Sequence, residues 1–151
     1  MVESGNQAVD IVLTEKNILC KSSGVKFTYM IDGSAFSFLS DREIYSLFGN
    51  ALDNALEAAS RVEDASNRMI SLKRNVRGGL VVLQIENTYE GAVDLEDGLP
   101  RTTKRECGHG YGLRSIQRIA QRWGGDMSVR TENGIFKLSI FMRAQQQAQA
   151  V

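Results

Sequence analysis

Scarcity frames this 151-residue chain, which holds one proline, one tryptophan, one histidine and two cysteines. The two thiols, Cys20 and Cys107, stand far apart with no ligand-like spacing, which points to a reducing, cytoplasmic setting rather than a disulfide scaffold. The lone histidine, His109, makes no metal set. Net charge is also missing: 18 basic residues balance 18 acidic ones, so no global field recruits nucleic acid or an anionic lipid surface. No apolar run approaches the ~20 residues a membrane span needs, and no basic-then-apolar leader opens the chain, so this fragment has no direct membrane contact of its own. Internal repeats are absent as well.

What remains reads as one domain over residues 1–144, followed by a flexible glutamine-rich tail over 145–151. Gln7 to Lys21 carries Ala8, Val9, Ile11, Val12, Ile18 and Leu19 at loose helical spacing, and Ser22-Ser23-Gly24 supplies a stop. In Val25 to Ile31 the residues Val25, Phe27, Tyr29 and Ile31 alternate with Lys26, Thr28 and Met30, the period of a half-buried strand. Asp32-Gly33 turns the chain. A helix then runs from Asp41 to Ser60, with Ser40 or Asp41 as its cap and Glu43 in its first turn. Arg68 to Val76 and Leu80 to Glu86 form a hairpin through Arg77-Gly78-Gly79, and Asp126 to Thr131 pairs with Ile135 to Met142 across Glu132-Asn133-Gly134. Between these lie an aperiodic stretch from Asn87 to Cys107, which includes Pro100, and a helix from about Leu113 to Trp123 that Gly124-Gly125 ends. Clustered helices and mostly antiparallel strands predict an α+β fold, a two-layer α/β sandwich with about three helices on one sheet face.

Two patterns in this frame carry chemistry. On the Asp41–Ser60 helix, Ile44, Leu47, Phe48, Ala51, Leu52, Ala55, Leu56 and Ala59 make one apolar stripe, and Glu43, Asn50, Asn54 and Glu57 border it. A border of carboxamides and carboxylates offers oxygen ligands to a hard cation such as magnesium without burying several full charges together. The same border is also what a solvated polar edge looks like. Asparagine, however, costs a helix about 0.5 kcal/mol against alanine, so two in one column ask for a reason.

The second pattern is GHGYGL, Gly108 to Leu113, with three glycines at alternate positions ahead of a helix. Such glycines let backbone approach a ligand, and the helix end adds N–H groups that favour phosphate; a tight turn into a packed helix would use the same residues. No strand leads directly into these glycines and no G-x-x-x-x-G-K-[ST] occurs, so neither a dinucleotide fingerprint nor a P-loop is present. His109 reads as a spacing or packing residue of this loop. Lys104 and Arg105 either neutralise phosphate from a lid or are simply solvated.

Taken in order, N-x-x-x-N-A on a helix, a strand ending in IEN, a long polar loop, G-x-G-x-G-L and a closing hairpin resemble the ATP-binding catalytic domain of bacterial sensor histidine kinases, in the Bergerat-type group shared with DNA gyrase and the mismatch-repair ATPases. LDNALEA and GHGYGL look most like the kinases of quorum-sensing peptide receptors. The resemblance implies ATP and Mg2+ as cofactors, Asn50 and Asn54 as the catalytic pair, and Asn54 as the metal ligand. It implies a nucleotide-facing set of Asn54, Glu57, Asn87, Lys104, Arg105, Gly108, His109, Gly110, Tyr111, Gly112 and Leu113, with Gly91 to Cys107 as a lid. Hydrolysing relatives place a glutamate where Asn50 stands, so the resemblance implies transfer of the γ-phosphoryl to a protein side chain and poor hydrolysis.

The family's adenine-reading D-x-G-x-G is not present; Asn87 in IENTYEG stands nearest to its aspartate, and Ile135 stands where a threonine would assist adenine binding. The implied partners are a dimerisation domain carrying the phosphoacceptor histidine, which His109 cannot replace, and a response regulator downstream. The parent protein would be a membrane-anchored dimer. Two other readings share the motifs: a nucleotide-sensing or docking module that has lost catalysis, and a serine kinase of the anti-sigma type.

Overall fold

The computed structural model describes residues 2–92, 95–96, 99–100 and 109–144. The expected tail, 145–151, and most of the expected lid lie outside these residues. In chain order the described elements are α1 (Gln7–Ser22), β1 (Lys26–Met30), α2 (Asp41–Ser60), β2 (Met69–Arg77), β3 (Leu80–Thr88), the two-residue strands β4 (Leu95–Glu96) and β5 (Leu99–Pro100), α3 (His109–Arg122), β6 (Asp126–Glu132) and β7 (Ile135–Arg143). Short 3-10 turns at Gly33–Phe36 and Ala65–Asn67 enter α2 and leave it.

Five strands form one sheet in the order β1-β2-β3-β7-β6. Only β1 and β2 run parallel; β2–β3, β3–β7 and β7–β6 are antiparallel. The pairing register explains which side is core. Leu72 lies opposite Ile85, Ile85 opposite Leu138, and Leu138 opposite Val129, so one apolar row crosses four strands at one level. Leu83, Ile140 and Met127 extend the same face. Against it pack Val9 and Leu13 of α1, Leu47, Phe48 and Leu52 of α2, and Ile116 and Ala120 of α3, in a single buried cluster. This is the α+β two-layer sandwich that the element pattern predicts.

The α2 boundaries match the sequence reading because the signals are local. Ser40 Oγ accepts the Glu43 N–H at 3.1 Å while Glu43 Oε1 accepts the Ser40 N–H at 3.0 Å, a reciprocal capping box that fixes the start. Both hairpins turn through two positive-φ residues, Gly78–Gly79 and Asn133–Gly134, as tight two-residue connections require.

Three expectations need correction. Ile11, Ile18 and Leu19 are 42%, 63% and 40% exposed, so they do not form the inner stripe of α1. That stripe runs through Ala8, Val9, Val12, Leu13, Lys16 and Cys20. Lys16 belongs to it because Asp53 of α2 meets its Nζ at 2.7 Å. Burial alone would pull the Lys16 ammonium down, but the hydrogen bond and charge of Asp53, aided by Glu15, outweigh it and hold the pKa above its ordinary value.

The second correction concerns β1, which is a mostly exposed edge strand rather than a half-buried one; Met30 is 80% exposed. Third, α3 begins at His109, four residues earlier than the apolar period indicates, so Gly110 and Gly112 lie inside its first turn.

Candidate functional site

Helices α2 and α3 pack side by side, with the carboxyl end of α3 near the start of α2. That antiparallel arrangement brings the glycine-bearing end of α3 to the middle of α2. A methyl group added at Gly112 would sit 3.6 Å from both Cβ and Oδ1 of Asn50. The contact involves no clash, but the methyl would fill the space directly before the carboxamide. Asn50 and Gly112, 62 positions apart in sequence (112 − 50), are therefore neighbours.

Asn50 and Asn54 are both half-buried on α2. Asn50 Nδ2 donates to Ser46 Oγ at 3.2 Å, which orients the carboxamide along the helix. Asn54, one turn on, has no hydrogen-bond partner among the described residues. The two carboxylates of the same column are committed elsewhere. Glu57 pairs with Arg61 Nη2 at 2.7 Å, and Glu43 closes the α2 capping box and accepts the Trp123 indole N–H at 2.9 Å.

Burial pushes the Glu43 carboxyl upward, but the hydrogen bonds from Ser40 and Trp123, with Arg122 3.8 Å away, prevail and hold its pKa below the ordinary value. Among the described residues no group of three or more His, Cys, Asp or Glu side chains could hold a metal ion. A cation at this border would rest on carboxamide oxygens and on the ligand's own oxygens, which fits magnesium carried in by a polyphosphate.

Asn87 lies near the carboxyl end of β3, on the core face, opposite Ile70 on one side and Phe136 on the other. It is 2% exposed and is one of three buried polar or charged residues among those described. Its Nδ2 donates to the Thr88 carbonyl at 3.0 Å, and no protein donor among the described residues reaches its Oδ1. Nearby, Tyr89 N–H bonds the Gly134 carbonyl at 3.0 Å and the Tyr89 ring meets Phe136 edge-on. A buried carboxamide with a spare acceptor oxygen suits recognition of an amine.

The remaining sequence candidates divide in two. Lys104, Arg105 and Gly108 lie outside the described residues, and for His109, Gly110 and Tyr111 only the helical backbone is described. Leu113 is 5% exposed and belongs to the core cluster. Sequence reading missed the Lys16–Asp53 and Glu43–Trp123 ties. Each joins residues distant in the chain, and only the one tryptophan's N–H, a donor that needs an acceptor when buried, hinted at the second.

Residues 39–143 match the family described as the GHKL domain. A comparison with curated proteins gave no match. Among solved structures, the catalytic domain of the histidine kinase ThkA shares 17% identity, with 95% of this chain and 96% of that one covered at a TM-score of 0.66. The histidine kinase domain of the blue-light activated EL346 from Erythrobacter litoralis shares 14%, covering 98% of this chain and 68% of that one at 0.62. Full-length ShkA in complex with AMPPNP shares 15%, covering 91% of this chain but 30% of that one at 0.60. At these identities the structural likeness establishes the fold. No helix among the described residues is long and apolar enough to cross a membrane.

Proposed function

This chain belongs to the GHKL domain family, and on that footing we propose that it binds Mg-ATP and donates the γ-phosphoryl to a histidine on a separate dimerisation domain of a two-component sensor kinase. The observation that carries the reading is the meeting of Asn50 with Gly112 in the first turn of α3, with the carboxamide of Asn54, unpartnered among the described residues, one α2 turn beyond Asn50. The ShkA structure, solved with AMPPNP, has the same fold.

Each residue then has a physical task. Asn54 Oδ1 ligates magnesium, which supplies charge neutralisation to the triphosphate. Gly110 and Gly112 let phosphate oxygens approach the first-turn N–H groups of α3, where the helix dipole favours negative charge. The γ-phosphorus breaks its bond to the β–γ bridging oxygen and forms one to an imidazole nitrogen, with ADP as leaving group. Asn50, a neutral amide, cannot take a proton from water, so hydrolysis lacks a base while transfer needs only alignment. Asn87 Oδ1 accepts from the adenine amine at the far end of the site. The acceptor domain and a downstream response regulator are the partners of this reading. A membrane-anchored, peptide-sensing parent is the form that the LDNALEA and GHGYGL motifs support.

The test is phosphorylation in trans with γ-labelled ATP. Mixed with histidine-bearing dimerisation domains, the chain is expected to yield an acid-labile, base-stable phosphoprotein, and to release free phosphate at least tenfold more slowly than it transfers. Acid-stable phosphoserine on an anti-sigma-type partner, or no transfer despite tight ATP binding, would replace this reading with one of its two rivals.

A further inference from the structure

The two ends of α3 differ in composition and in the contacts found among the described residues. Its amino-terminal turn contains two glycines and no acidic residue, so little within the helix itself stiffens that end. The carboxyl-terminal end is clamped. Trp123 is 5% exposed, its ring meets Phe38 edge-on with centroids 4.9 Å apart, and its carbonyl accepts the Arg143 N–H at 2.7 Å. Its indole N–H donates to Glu43 Oε2 at 2.9 Å.

That last bond differs from Trp123's other contacts in reaching α2 rather than the sheet or the α2 approach, and the Arg122 guanidinium, 3.8 Å from the same Glu43 oxygen, adds to it. Glu43 is itself fixed: its other oxygen holds the Ser40 N–H, so the carboxylate cannot swing with the indole. From Trp123 to Gly112 the helix spans about 16 Å at 1.5 Å per residue, so a tilt of about 5° at the clamp displaces the glycine turn by about 1.4 Å. Displacements of that order are enough to spoil an aligned phosphate.

We propose that Glu43 is a positioning residue for the triphosphate, acting through Trp123 to set where the Gly110–Gly112 turn stands against Asn50; this rests on the site assignment given under Proposed function. It touches no nucleotide. The base, held at the β3 end by Asn87, is not under its control, and that separation makes the idea testable.

Trp123→Phe deletes the donor together with the pyrrole part of the indole, and its thermal melt gauges the packing lost with it. The affinities to measure on the full chain are those for Mg-ATP and for adenosine, by NMR titration, with thermal melts confirming that each variant is folded. The expected result is a Kd for Mg-ATP raised about tenfold with the adenosine Kd unchanged within twofold. Glu43→Ala, which also loses half of the capping box and so melts lower, should show the same split. A purely structural tie would lower the melting temperature while leaving both affinities alone, or would weaken both ligands together; either pattern overturns the inference. If wild type discriminates Mg-ATP from adenosine but the variants do so equally well, only the positioning role falls. If wild type binds neither ligand, the phosphate site falls and this role with it.

Discussion

Asn54→Ala is expected to raise the Kd for Mg-ATP by about 30- to 100-fold, the cost of about 2–3 kcal/mol for losing one oxygen on a dication, and to abolish the dependence of binding on magnesium. The fold should not suffer. Asn54 has no protein partner among the described residues and lies in the last third of a long helix, where alanine is the better former by about 0.5 kcal/mol. Stability and binding should therefore move in opposite directions, a signature that generalised damage cannot produce. Titration of a fluorescent ATP analogue with and without magnesium, beside a urea melt, reads both. A structural asparagine would give the reverse: a less stable protein with unaltered affinity.

Gly125→Ala should be the most disruptive single methyl in the described part of the chain. The added carbon would stand 1.7 Å from the Phe141 carbonyl oxygen and 2.5 Å from its carbon, both backbone atoms of β7, an interior strand of the sheet. Neither the strand nor the α3 terminus can yield without breaking the pairing of β7 with β3 or β6, so the expected loss is about 4 kcal/mol or more, close to the total stability of a marginal domain. The contrasting substitution is Gly49→Ala in α2, where a methyl meets nothing within 4 Å among the described residues and should stabilise by about 0.5–1 kcal/mol. Chemical denaturation of the pair distinguishes close approach from mere helix propensity. Equal effects of the two would mean that the Gly125 backbone does not approach Phe141 of β7 closely.

What could be read in the sequence follows the range of the forces involved. The α2 helix announces itself within four residues, through Ser40 and Glu43, and its stripe from Ile44 to Ala59 is the one that is buried, with Leu56 only partly so. The hairpins likewise declare themselves through Gly78–Gly79 and Asn133–Gly134. Illegible features depend on partners far along the chain. Lys16 looks like a surface lysine until Asp53 is beside it, and its inclusion in the inner stripe moved Ile11 and Ile18 outward. β1 alternates like a half-buried strand, but the sheet order leaves it at an edge. The α3 helix starts within a glycine run that propensity alone would exclude, because packing against α2 overrides it. The two asparagines and the glycines were each recognisable. Their meeting, Asn50 against Gly112, was a matter of three dimensions.

The central claim is that α2 carboxamides and the first turn of α3 share one metal-bound triphosphate. Manganese-ATP in place of magnesium-ATP tests it most directly, since the paramagnetic ion broadens only the amide resonances close to it. The account predicts that substoichiometric Mn-ATP broadens Asn50, Asn54 and Gly112 together, while Arg130 and Lys137 on the outer sheet face stay sharp. Broadening centred on the outer face, or on one helix without the other, would contradict it.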